Sequence, residues 1–405
     1  MGWARRGTTA PAPELIRWRN AVFTIFGLTG LAFATWASRV PGIRDLLSAS
    51  TQEMGFLLLG ISIGSISGLL GASHIVARLG ATRTILVCYT AASVALLALG
   101  AVTAFAPSFG AFFVPLAVFG AGSSIVDVAM NLSGAANERA IGRTLMPLYH
   151  AAFSLGTVVG AGIGSALAAF GVPIAAHFAG VGLIALVTTL ALVRHLQPAE
   201  DPEHAEHGAT WQSRLAVWRD GRVLLIGLIV LGMAFAEGSA NDWLSLAMVD
   251  GHGVTNAAGA AIFGVFVAAM TVGRVAGAGL LDRFGRVPVL RVSAGFAVLG
   301  LLLVIVVPNV VVAVVGVVLW GLGAALGFPV GMSAAADDPR TANAAVSAVA
   351  TIGYLAFLVG PPLIGLLGQR FTLLLALLVV LVLIAVGGLC SPAARRPGAA
   401  AAPAA

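Results

Sequence analysis

Apolar positions in this chain come in long unbroken runs, and the polar residues collect between them. A helix rising 1.5 Å per residue needs about 20 apolar residues to cross the hydrocarbon core of a bilayer. Twelve runs reach that length, at roughly 20–40, 53–73, 84–105, 109–132, 147–169, 174–194, 222–247, 256–278, 289–307, 310–333, 343–367 and 371–390. Most connections are as short as Ala106-Pro107-Ser108 or Pro308-Asn309; the exception is the polar stretch 195–221, which divides the runs six and six. The pattern predicts an all-α membrane protein with twelve transmembrane helices in two six-helix bundles. It reads as an N-terminal segment 1–19, bundles over 20–194 and 222–392, a linker 195–221, and a disordered tail 393–405.

Composition agrees. Charged residues make up 9% of the 405, whereas a soluble domain needs about a quarter to cover its surface. The net charge of +6 would suit nucleic acid, but its placement argues otherwise. All 22 basic residues are Arg, and 19 of them fall on the side that holds both termini, leaving only Arg39, Arg44 and Arg370 opposite. That asymmetry predicts cytoplasmic termini and no nucleic-acid role. The heavy Ala, Gly, Val and Arg usage suggests a bacterial inner-membrane protein. The first run follows a basic segment but ends in SRVPGIR rather than a small-residue cleavage site, so it reads as an uncleaved span. Cys88 and Cys390 both fall in apolar runs and imply neither a disulfide nor a metal site. No nucleophile–base pair or phosphate-binding loop stands out, so neither an enzyme nor ATP drive is expected. No cofactor is implied; a proton gradient suits the buried acids below. The partners expected are lipid and a small solute, with the chain a monomer.

The halves echo one another. ARLGATR (77–83) matches DRFGRVP (282–288), Trp36 matches Trp243, and GAGIG (160–164) matches GPPLIG (360–365), all at offsets near 205. Such a repeated unit is an architecture of secondary transporters, which bind substrate between the halves near the midplane.

A twelve-span chain with these charged loops after spans two and eight resembles the major facilitator superfamily. WASRVPGIR (36–44), MNLSGAANERAIGR (130–143), HAAFSLGTVVGA (150–161), EGSANDW (237–243) and ATIGYLAFLVGPPLIG (350–365) resemble its YbjJ-like bacterial branch, a relative of the fucose permeases. One departure is Ala77, where the family often has Asp. The resemblance implies two bundles rocking about a central cavity.

Two carboxylates interrupt the apolar runs, Asp127 and Glu237. A charge there is expensive unless it faces protein or water, so each is a functional candidate. Asp127 and Asn131 share a helix face with Ser123 and Ser124, and their D-x-x-x-N resembles the E-x-x-x-N of fucose–proton symporters. Asp127, Glu237 and His150 are the candidates for proton coupling, since a carboxyl or imidazole in such a cavity can load and release a proton. Glu237, Asn241 and Ser245 share a face of span seven beside Trp243; Asn131, Glu237, Asn241, Trp243, Phe153 and Tyr354 are the substrate candidates, polar groups for hydroxyls and aromatic faces for sugar surfaces. Arg39 and Asp242 would pair as an outer gate, and Arg274, Asp282, Arg283 and Arg286 would latch the termini side. Gly156, Gly160 and Gly164 form a row that lets helices approach, and Pro361 and Pro362 should bend span eleven. His74 and His177 lie near span ends with no evident role. In the linker, His204 and His207 among acids read as a solvated tether. WQSRLAVWRDGR (211–222), with Trp211, Leu215 and Trp218 on one face, reads as a surface helix. The reading is a proton-coupled carrier of a sugar-like solute, with efflux of a drug or metabolite, or a non-transporting receptor, as alternatives.

Overall fold

The structure, a computed structural model, describes residues 12–198, 217–338 and 341–396. The N-terminal half contains α1 (Pro13–Ala37), α2 (Val40–Leu47), α3 (Thr51–Phe105), α4 (Phe109–Ile141), α5 (Met146–Ala169) and α6 (Ile174–Leu192). The C-terminal half contains α7 (Gly221–His252), α8 (Asn256–Phe284), α9 (Arg286–Val306), α10 (Val310–Ala324), α11 (Gly327–Ala335), α12 (Ala342–Arg370), α13 (Leu373–Ala376) and α14 (Leu378–Leu389). Ten described segments are long and apolar enough to span a membrane, and Leu373–Leu389 is a shorter apolar one. At 55 residues α3 would run about 80 Å if straight, against a core of about 30 Å. It turns back at Gly80 and supplies two crossings, which brings the total to twelve.

Gly80 sits at φ 74°, ψ 159°, and Gly285, between α8 and α9, sits at φ 75°, ψ 172°. These glycines occupy matching places in the two echoed loops, so the internal repeat extends to backbone angles that essentially only glycine adopts. Trp36 and Trp243, the other matched pair, are both fully buried.

Local chemistry sets the helix ends. Ser50 and Glu53 form a reciprocal capping box that starts α3, and Asp220, Thr255 and Asn309 cap α7, α8 and α10. Pro13 at the first turn starts α1 well before residue 20. Span ten is divided near Ala325 into α10 and α11, whereas α12 stays helical through Pro361 and Pro362. Outward positions are apolar, with Phe105, Phe170, Leu70 and Leu389 almost fully exposed, as lipid contact allows.

Within the halves, α5 lies along α1, and a side chain on Gly156 or Gly164 would collide with Gly27 or Ser38. Between the halves, α3 meets α12 and α5 meets α8. The chain beyond Ala393 was expected to be disordered, but Ser391–Ala394 form a 3-10 turn with Ala394 buried. Arg222 secures it by donating to the carbonyls of Ala393 (3.0 Å) and Arg395 (3.2 Å). Of the expected surface helix, Val217–Arg219 form one 3-10 turn. Trp211, Leu215, the linker histidines His204 and His207, residues 1–11 and the tail beyond 396 lie outside the described residues.

Candidate functional site

Asp127 lies near the middle of α4 and is exposed, although its helix is long and apolar enough to cross a membrane. Tyr354 of α12, in the other half, lies within electrostatic reach of it, so that exposure opens onto the space between the halves. Asn131, one turn along, donates to the Asp127 backbone carbonyl at 2.8 Å and reaches its Oδ1 at 3.4 Å. Among the described residues no cation pairs with Asp127, so the carboxyl is presented to the cavity uncompensated.

Glu237 occupies the midpoint of α7. Both its carboxylate oxygens accept from Nη2 of Arg274 on α8, at 2.9 and 3.0 Å. Arg274, expected to join a latch at the termini side, lies inside a span and pairs here with this carboxylate. His150, exposed on α5, lies within electrostatic reach of Arg274 across the halves and rests edge-on against Phe26 at 5.3 Å. Asn241 is half-buried one turn from Glu237, and Phe153 is half-buried on α5. Two expected neighbours are elsewhere. Trp243 is fully buried, its indole N–H without an acceptor, and Ser245 is also buried. Six and eight residues beyond Glu237, their side chains turn from the cavity into the packing of α7.

The side opposite the termini is shut. Arg44 of α2 pairs with Asp250 at the end of α7, and Asp45 accepts from Asn256 at 2.8 Å. The Thr51 N–H donates to Gln369 Oε1 at 3.1 Å, and Ser165 Oγ donates to the Ala257 carbonyl at 2.8 Å. Arg39 and Asp242, expected to form this gate, do not meet. Arg39 is buried, its Nε donating to His177 Nδ1 at 3.0 Å and an Nη donating to the Val172 carbonyl at 3.3 Å. The reason is length: α7 runs on to His252, so Asp250, eight residues and about 12 Å beyond Asp242, reaches the mouth. Helix α2 carries Arg44 there in the same way. His177, read as having no role, is the buried partner of Arg39. Arg44, Asp45, Asp250 and Asn256 were missed; an arginine–aspartate pair flanking the apolar ends of spans one and seven was the available signal.

The sequence profile described as the Major Facilitator Superfamily matches residues 21–361 and 244–404. The chain belongs to the major facilitator superfamily. It is a multi-pass membrane transporter rather than an enzyme. An uncharacterized MFS-type transporter of Yersinia pestis is 32% identical over 358 residues, 87% of this chain and 89% of the relative. An uncharacterized transporter of Sinorhizobium fredii is 31% identical, covering 94% of this chain and 99% of the relative. The fold is similar to that of the nucleoside transporter NupG, at TM-score 0.77 and 14% identity over 94% of this chain and 99% of that one. It is also similar to the E. coli fucose:proton symporter FucP, at TM-score 0.63 and 15% identity over 94% and 99%.

The charged loops of this superfamily member lie at the termini side. Arg286 donates to both oxygens of Asp337 at 2.9 Å and to Ser333 at 2.9 Å, and Arg222 reaches Asp337 at 2.8 Å. These pairs stay within the C-terminal half, so Arg286 makes no latch to the other half here. Arg283 lies over the Phe284 ring at 5.2 Å and Asp282 is exposed. Among the described residues neither has a partner across the halves.

Proposed function

We propose that this transporter moves a small polar solute, a sugar or sugar-like metabolite, across a bacterial cytoplasmic membrane by alternating access, with proton movement coupled through Asp127. The termini side is the cytoplasmic one on the strength of its arginine excess, and the five sequence motifs favour the YbjJ-like branch. The observation that carries the reading is the Asp127 carboxyl, midway along its apolar span, uncompensated by a cation among the described residues and within electrostatic reach of Tyr354 of the other half. A bare carboxylate resists enclosure in a low-dielectric space, and a protonated one does not. Loading Asp127 with a proton would therefore permit the halves to close over a filled cavity. With the far side bridged around Arg44 and Asp250, the carrier would open toward the cytoplasm, the state in which solute and proton are released. Asn131, Asn241, Phe153 and Tyr354 supply hydroxyl-binding groups and aromatic faces to the solute. The relatives of known transport named above, a nucleoside transporter and a fucose:proton symporter, carry hydroxylated solutes.

Proteoliposome flux tests this. The wild-type protein should acidify or alkalinise the lumen when a carried solute is added. Asp127→Asn should abolish that proton movement while retaining solute exchange at equal pH. Unchanged proton movement in Asp127→Asn would remove Asp127 from the coupling.

A further inference from the structure

Arg274 is tied to Glu237 through one terminal nitrogen only, Nη2. A guanidinium has five N–H donors in a fixed fork, and its best partner is an anion bound through two parallel bonds. The Nε and Nη1 donors of Arg274 have no acceptor among the described residues, and its side chain is 39% exposed. Within electrostatic reach of it is His150 of the opposite half, exposed and without a hydrogen bond to the described residues. Helices α5 and α8 pack against each other, so the two groups flank one seam of the cavity. A guanidinium edge and an imidazole, drawn from different halves, thus line the same seam, with Glu237 bound to Nη2 of Arg274 alone. Both groups can donate hydrogen bonds, and an anion accepts those from a guanidinium most strongly.

We infer that Arg274 and His150 form an anion-binding subsite bridging the two halves, and that the transported solute carries a carboxylate or phosphate on its polar frame. This rests on the transport reading above and narrows its substrate. The solute's anionic group would take the Nε–Nη1 edge of Arg274 while Glu237 keeps Nη2, so the guanidinium stays oriented before the solute arrives. The remaining charged or titratable groups of this region are placed otherwise. Asp127 lies within electrostatic reach of Tyr354 on α12, and Asp242 lies on a different face of α7 from Glu237. A monoanion, such as a carboxylate, accompanied by one proton on Asp127 would cross without net charge, which joins the subsite to the proposed coupling.

Four probes sharing a six-carbon polyhydroxy frame separate the possibilities: glucose, glucosamine, gluconate and glucose 6-phosphate, each added at millimolar concentration to purified full-length protein in nanodiscs. The readout is the shift in Tm. Gluconate or glucose 6-phosphate should stabilise the protein while glucose and glucosamine do not, and whichever anion acts names the carboxylate or the phosphate. Arg274→Gln should weaken that response roughly tenfold to hundredfold, the range for losing a charge-assisted pair. Glu237→Gln should preserve or strengthen it, because it releases Nη2 as a further donor. That variant separates a binding role from a structural ion pair, whose loss would impair both variants alike. Equal response to glucose, no response to either anion, or an anion response that survives Arg274→Gln would overturn the subsite. Proton-driven flux of a neutral solute in proteoliposomes would also overturn it, while leaving the transport reading intact.

Discussion

Gly55 of α3 and Gly365 of α12 meet backbone to backbone across the two halves. A Cβ on Gly365 would lie 2.9 Å from the Gly55 Cα and 2.9 Å from the Thr51 carbonyl oxygen. The contact lies at the closed far side, where the Thr51 N–H also donates to Gln369. Closure there depends on two helices approaching more closely than any side chain permits.

Gly365→Val should therefore wedge that side open. Overpacking of this kind costs about 1–3 kcal/mol, which applies to the closed state alone once the halves can separate. Spin labels at Leu46 and Val254, in a Cys88→Ser, Cys390→Ser background, should report a longer distance than in the parent. An unchanged distribution would mean that the crossing is not what holds this side shut.

The Arg44–Asp250 pair should bias the same equilibrium more gently. Its side chains are 20% and 32% exposed, and partly exposed pairs contribute up to about 1 kcal/mol. Asp250→Arg alone should shift the balance by up to roughly fivefold toward the open far side. Combining it with Arg44→Asp should restore the parent distance, measured with the same labels. Failure of the double reversal to recover would show that the pair forms without biasing the gate.

The two loop glycines make a paired prediction. At Gly80 and Gly285 a Cβ would meet nothing within 4 Å, so any loss on substitution is backbone strain and not collision. Gly80→Ala and Gly285→Ala should each cost about 1–3 kcal/mol. Lying in different halves, with nothing within 4 Å of either added Cβ, they should add in the double variant. Thermal unfolding in detergent checks this, and full stability in either variant would contradict the argument from φ.

Arg39 and His177 should behave as a buried unit. His177→Phe leaves the Arg39 Nε without an acceptor and should destabilise by about 1–3 kcal/mol. The double change Arg39→Leu with His177→Phe removes both partners and should be less harmful than the single one, as read from Tm. A double variant worse than His177→Phe alone would assign Arg39 a further role.

Much of the architecture was legible in the sequence. Twelve crossings, two halves, the matched loops around Gly80 and Gly285 and the arginine asymmetry all follow from local rules. Insertion into lipid depends on the hydropathy of about 20 neighbouring residues, and a repeated loop geometry depends on its own glycine. The acids Asp127 and Glu237 were legible for the same reason, as isolated polar positions in apolar runs.

The tertiary structure alone decided the partners and the depths. Arg274 meets Glu237 instead of a loop, Arg39 meets His177 instead of Asp242, Trp243 turns into the core, and Asp250 reaches the mouth that Asp242 does not. Every residue on a hydrophobic helix looks alike to lipid. Which face is turned inward, and how far the helix runs past the membrane, is set by packing against helices distant in sequence. A span only six residues longer or one face rotated changes which charges meet, and no local pattern carries that information.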